Sequence, residues 1–269
     1  MDTDTLHITR PFERMGARVE VVPFAPRRGI AGGRVRVDIV TDHRGQKFSL
    51  AVHPSVRLCV PDAQPGQRHL LLNCVVEETS QRHKYLCGHD EREWFAAAVP
   101  NRPGISSVRT AMEALKPDLV RQEIVRRGVH PGEYASRSTA AYRRQGEWFF
   151  IPQEGMRFPA GLVLRNEALR RGNGKAHWAE LAYRTGGEFV YFNAEHPQGL
   201  TELEYKALIG RNPRLKHGRW RTGRRGAELF VKGRIRHPDH QTITLECWHQ
   251  VRMNTENESA SMRHLAFID

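Results

Sequence analysis

The chain has 269 residues, with 42 lysines and arginines against 30 aspartates and glutamates, a formal balance of +12. At 39% hydrophobic residues it is too apolar for wholesale disorder, and no run approaches the roughly 18–20 apolar residues of a membrane helix. The opening Met1-Asp2-Thr3-Asp4 lacks the cationic and apolar stretches of a secretory signal, so a cytoplasmic, non-membrane protein is expected.

Residues 1–104 read as an N-terminal β-rich domain. Val35, Val37 and Ile39 alternate with Arg36 and Asp38, the period of a half-buried strand. Asp42-His43-Arg44-Gly45 supplies turn chemistry before Phe48, Leu50 and Val52 resume the alternation, which predicts a hairpin. Apolar runs at Leu70–Val76 and Trp94–Val99 fit central strands. Cys59, Cys74, Cys87 and Cys247 show no CxxC spacing and are expected to be reduced and structural. Cys87-Gly88-His89 places two soft ligands on one turn, a fragment of a zinc site set against the plainer reading of a buried thiol.

Residues 105–133 read as a helical connector. Val108, Met112, Leu115 and Leu119 fall on one helical face, and Pro117, which suits only a first turn, divides the segment into helices near 106–116 and 117–127, with Gly128 as the stop. Residues 134–269 read as a basic C-terminal β-rich domain with one helix. Strands are expected at 147–151, 188–192, 228–235, 242–245 and 249–253, and Thr201-Glu202-Leu203-Glu204 has the spacing of a capping box opening a helix that Gly210 ends. The expected class is α+β, predominantly antiparallel β, with two lobes joined by a short helical connector.

The densest charge lies in 211–236, where Arg211, Arg214, Lys216, Arg219, Arg221, Arg224, Arg225, Lys232, Arg234 and Arg236 are opposed only by Glu228. Arginine favours bidentate phosphate contact, and the interleaved Trp220 could stack on an unpaired base, with Gly218, Gly223 and Gly226 letting a loop flex around a partner. Arg143, Arg144 and Gln145, ahead of the strand at 147, could reach a phosphate or base edge. The plain alternative is a solvated basic surface that keeps the protein soluble.

His177 and Glu180, like His237 and His240, are three residues apart, and on a helix or tight turn that spacing brings side chains together. Two imidazoles and a carboxylate would suit zinc, iron or manganese, and such a metal could activate water with His177, Glu180 and His240 as catalytic groups. The alternative is structural histidines at strand ends. No Walker loop, GxGxxG fingerprint or nucleophile elbow occurs, so nucleotide hydrolysis, dinucleotide redox and α/β-hydrolase chemistry lack support.

Arg144-Gln145-Gly146-Glu147, the Gly172–His177 loop, and His237-Pro238-Asp239-His240 ahead of Thr242-Ile243-Thr244-Leu245 together resemble a pattern in uncharacterised bacterial and phage proteins. Cys87-Gly88-His89-Asp90 and Ala111–Pro117 resemble phrases of longer proteins of that kind. The resemblance covers about half of the chain and implies a bacterial or phage setting, with no activity attached.

These readings make nucleic-acid binding the leading expectation, RNA before DNA, in a ribonucleoprotein or in a phage, mobile-element or defence system. A metal-dependent nuclease or other phosphodiester hydrolase, and a protein-interaction scaffold, are the alternatives.

Overall fold

The computed structural model describes residues 3–25, 34–170 and 174–258, and divides the chain into two compact units. It is α+β, with mostly antiparallel sheets and four α-helices among the described residues. No helix in these residues is long and apolar enough to cross a membrane.

The first unit contains α1 (Thr3–Arg14), β1 (Val19–Pro23), β2 (Val35–Asp42), β3 (Gly45–Val52), β4 (Val56–Gln64), β5 (His69–Val76), β6 (Gln81–Asp90), β7 (Glu93–Val99), α2 (Val108–Ala114) and α3 (Asp118–Arg126). The hairpin at 42–45 forms as the alternation requires, with Val37 opposite Leu50 and Ile39 opposite Phe48. β1 adds to the far side of β3 in parallel. Strands β4 to β7 make an antiparallel meander. Its strand β5 is buried on both faces. Leu70, Leu72, Cys74 and Val76 pack with Phe12 and Phe48, whereas Leu71 packs with Leu86, Val108 and Ala111. Two-sided burial explains why the run is apolar on both faces, with Asn73 alone interrupting it between Leu70 and Val76.

Three features depart from the sequence reading. The β-rich N-terminal stretch opens with α1, whose Ile8 and Phe12 are buried, followed by buried Met15 just past its end. The helices at 108–114 and 118–126 are not a connector. Ser107 caps α2 through a capping box with Thr110, Pro117 precedes α3, and both helices belong to the first unit. Finally, the unit is discontinuous, because among the described residues the segment that follows β16, up to residue 258, belongs to it as well. Within that return segment the Thr255 N–H donates to the Leu115 carbonyl (3.1 Å), its hydroxyl to the Ala114 carbonyl (2.6 Å), and buried Glu256 accepts from the Ala98 N–H (3.0 Å).

The second unit holds β8 (Arg143–Gln145), β9 (Trp148–Pro152), β10 (Leu164–Leu169), β11 (His177–Thr185), β12 (Glu188–Phe192), β13 (Leu200–Thr201), α4 (Glu202–Arg211), β14 (Arg221–Arg225), β15 (Glu228–His237) and β16 (His240–Met253). Six strands form one sheet in the order β10-β11-β15-β16-β9-β8, and a small sheet runs β13-β12-β14. The larger sheet buries Phe150, Leu169, Ala179, Ala182, Val231, Ile235 and Leu245. Thr201 and Glu204 make the expected capping box at the start of α4.

The strands expected at 242–245 and 249–253 are one continuous β16. The segment around His177 is a strand although Ala-Glu-Leu-Ala favours a helix, because small residues fit where Ala179 and Ala182 are wholly buried. Phe150 has no exposed surface, so Phe150→Ala should cost about 3–5 kcal/mol in chemical denaturation through lost burial and the cavity left behind. A cost below about 1 kcal/mol would mean that this ring is not in the core.

Candidate nucleic-acid interface and histidine cluster

The basic run 211–236 is not a flexible loop. It comprises the end of α4, a 3-10 turn at Pro213–His217, strand β14 and the whole of β15. The fold therefore divides its cations into two kinds. Several are already engaged: Arg224 donates to the Gly186 carbonyl, Arg225 to Glu188 and the Gly199 carbonyl, Arg234 to Glu180, and Arg236 to Asn166. Lys232 is half-buried on β15. Arg211, Arg214, Lys216, Arg219 and Arg221, by contrast, are exposed and make no hydrogen bond or ion pair within the described residues. They fall within eleven positions of the chain.

Beside them runs a chain of rings on the small sheet and α4. Phe189 meets Tyr191 edge-on, Tyr191 stacks on Tyr205 at 4.2 Å, Tyr205 meets Trp220 edge-on, and Trp220 stacks on His196. Trp220 is fixed within this chain, since its indole N–H donates to the Leu215 carbonyl at 2.8 Å. It is half-buried and does not project as a free stacking platform, contrary to the sequence expectation. The ring open to solvent is Phe189, 46% exposed and opposite Arg224 in register. Sequence reasoning missed it because a phenylalanine in Glu-Phe-Val-Tyr-Phe looks like a core residue of its strand.

Arg143 is exposed on β8, Arg144 is half-buried, and Gln145 is buried, its amide donating to the Gln241 carbonyl at 2.6 Å. Gln145 is thus an internal tie between the β8–β9 hairpin and the start of β16, not a contact for nucleic acid. Of the Gly172–His177 loop, Gly172 lies outside the described residues.

The second constellation is built by three adjoining strands. His177 opens β11, His237 ends β15, and His240 begins β16, paired across the turn with His237. Trp178 faces Arg236 in register, which sets His177 beside His237. The three ligand-bearing rings have donor atoms all within 4.8 Å of one another. The His177 ring lies 4.1 Å from that of His237 and 5.5 Å from that of His240.

His177 is 1% exposed, and among the described residues neither of its ring nitrogens has a hydrogen-bond partner. Burial first, then repulsion by His237 and His240, pushes its pKa down to about 3, so the ring is neutral at neutral pH. His237 is lowered chiefly by burial; its Nδ1 faces the Asp239 N–H at 3.2 Å, and the Lys175 backbone supports its charged form by a hydrogen bond.

Above these rings sits the β8–β9 turn. Gly146 has φ +58°, and a Cβ there would lie 3.0 Å from His240 Nε2 and 3.3 Å from His177 Nε2. Glycine is required twice, for the left-handed backbone and for the close approach.

Glu180 does not join the histidines. Side chains alternate along a strand, so residues 177 and 180 point to opposite faces of β11, where a helix would have aligned them. Instead Glu180 braces a bulge in β15 at Gly233 (φ +85°), accepting from the Arg234 N–H at 3.0 Å and from its Nε at 3.1 Å. His249 is buried on β16, its Nδ1 2.8 Å from the Cys247 carbonyl. Cys87 and His89 belong to no group of three metal-capable side chains among the described residues. An open cleft of about 430 Å³, lined by Asn166, Trp178, Arg236, His237 and Pro238, adjoins the cluster. No protein-family model, curated protein or solved structure matches the chain.

Proposed function

We propose that the protein binds single-stranded nucleic acid, RNA before DNA, through α4, the 3-10 turn and the small sheet of the second unit. The carrying observation is the group of five cations, Arg211, Arg214, Lys216, Arg219 and Arg221, that have no partner among the described residues and lie beside a ring chain ending in exposed Phe189. An unpartnered cation has only side-chain ordering and desolvation to overcome on meeting a phosphate, whereas an engaged one must also break its own bonds. Five phosphate contacts would confer long-range attraction and steep salt dependence. Phe189 offers a face to an unpaired base, and RNA presents such bases in loops and ends.

Fluorescence anisotropy with a labelled single-stranded RNA, its DNA counterpart and a duplex tests this. The single strands should bind more tightly than the duplex, and Phe189→Ala should weaken them by about 1–3 kcal/mol while barely touching the duplex. Absence of binding to all three at low salt would refute the reading.

A further inference from the structure

We propose that His177, His237 and His240 form a metal centre for a borderline divalent ion, Zn2+ foremost, independent of the nucleic-acid surface. Three imidazoles without a carboxylate suit Zn2+, Co2+ and Ni2+ and do not suit Mg2+ or Ca2+, which take oxygen ligands. Three protein nitrogens also leave a coordination position for water or another ligand.

Two observations besides the clustering point to an ion. Buried imidazole nitrogens normally have partners, because an unmet polar atom away from water is costly. Among the described residues His177 has none on either nitrogen, and it faces the other two rings. The second is Gly146. The β8–β9 turn passes so close that a Cβ at Gly146 would lie 3.0 and 3.3 Å from Nε2 of His240 and His177, filling the space between turn and nitrogens.

The donor atoms lie within 4.8 Å of one another. Tetrahedral zinc with bonds of about 2.0–2.1 Å would bring them to about 3.3 Å. Binding would therefore turn the stacked rings so that their nitrogens converge on the ion. Near His237, the Lys175 backbone hydrogen bond is the kind of outer partner that orients a ligating imidazole. An ion bound at His237 Nδ1 takes the place of the long contact from the Asp239 N–H. Because His237 also lines the open cleft, an ion held there adjoins a space that a ligand could enter.

The test uses tag-free full-length protein, stripped with chelator and titrated with Zn2+ and Co2+. One equivalent of either ion should bind per chain, with visible cobalt bands of a low-coordinate nitrogen site and zinc-induced shifts confined to three histidine ring signals in NMR. His237→Ala and His240→Ala should each weaken zinc by more than the roughly 100-fold that loss of an outer partner costs. Gly146→Ala should weaken it as well, and Glu180→Gln should bind as the parent does. Should a variant fail to fold, the parent's cobalt spectrum and ring shifts decide alone. No uptake by the stripped parent, shifts at other histidines, or uptake that survives His237→Ala together with His240→Ala would overturn the assignment.

Discussion

Replacing Arg214, Lys216, Arg219 and Arg221 with glutamate should lower affinity for single-stranded RNA by a thousandfold or more at low salt, on the order of what losing several phosphate contacts costs. Each change removes an attraction and installs a repulsion, and the four side chains make no bond within the described residues. Stability should therefore shift by no more than about 0.5 kcal/mol. The slope of log affinity against log salt should become shallower by about three, since each lost contact with a single strand is worth about 0.7. An affinity within tenfold of the parent would place the binding surface elsewhere. Arg224 and Arg225 are unsuitable for this experiment, because reversing them also breaks their bonds to Gly186, Glu188 and Gly199.

In metal-free protein the second unit should lose stability steeply below about pH 6.5. His177 holds its pKa near 3 in the folded state because it is buried against two other histidines, whereas the unfolded chain titrates at an ordinary imidazole value of about 6.5. Between those values the unfolded state takes a proton that the folded state refuses. Stability is thus level above the upper value and falls by about 1.4 kcal/mol per pH unit below it, reaching roughly 3 kcal/mol at pH 4. The groups facing the ring, His237 and His240, carry no negative charge that could compensate. Urea unfolding at pH 7, 5.5 and 4, followed by fluorescence of Trp148, Trp178 and Trp248, reads this directly. His177→Gln should start less stable and show a smaller dependence on pH. An equal slope in both proteins would assign the acid sensitivity to other groups.

Local patterns carried much of the architecture. Alternation at 35–39 and 48–52, the capping box at 201–204 and the break at Pro117 each became the element that backbone chemistry demands. Where local preference and tertiary packing disagree, packing prevails. Ala-Glu-Leu-Ala in 179–182 has helical preference but crosses a sheet where only small side chains fit. That one change of period separates Glu180 from His177. The helix α1, which holds Pro11, stands in a stretch that reads as β-rich, although Ile8, Phe12 and Met15 carry helical spacing.

The candidate sites were legible as residue types and not as partnerships. Which arginines are spent on Glu188, Glu180 or a carbonyl depends on pairing between strands far apart in sequence. The same holds for Gln145, which lies beside Gln241 only because β8 and β16 meet in one fold. The histidines at 237 and 240 were suggestive through their spacing, but the approach of His177 and Gly146 is a property of the sheet.

The return of residues 254–256 to the first unit sets an order of events during synthesis. Ala98, Ala114 and Leu115 emerge from the ribosome well before their partners Thr255 and Glu256, with the whole second unit translated in between. Until those last residues arrive, the first unit holds a backbone donor and two carbonyl acceptors open to water or to a chaperone. A chain cut short after Met253 would keep every strand of both sheets of the second unit yet leave the first unit without its clasp.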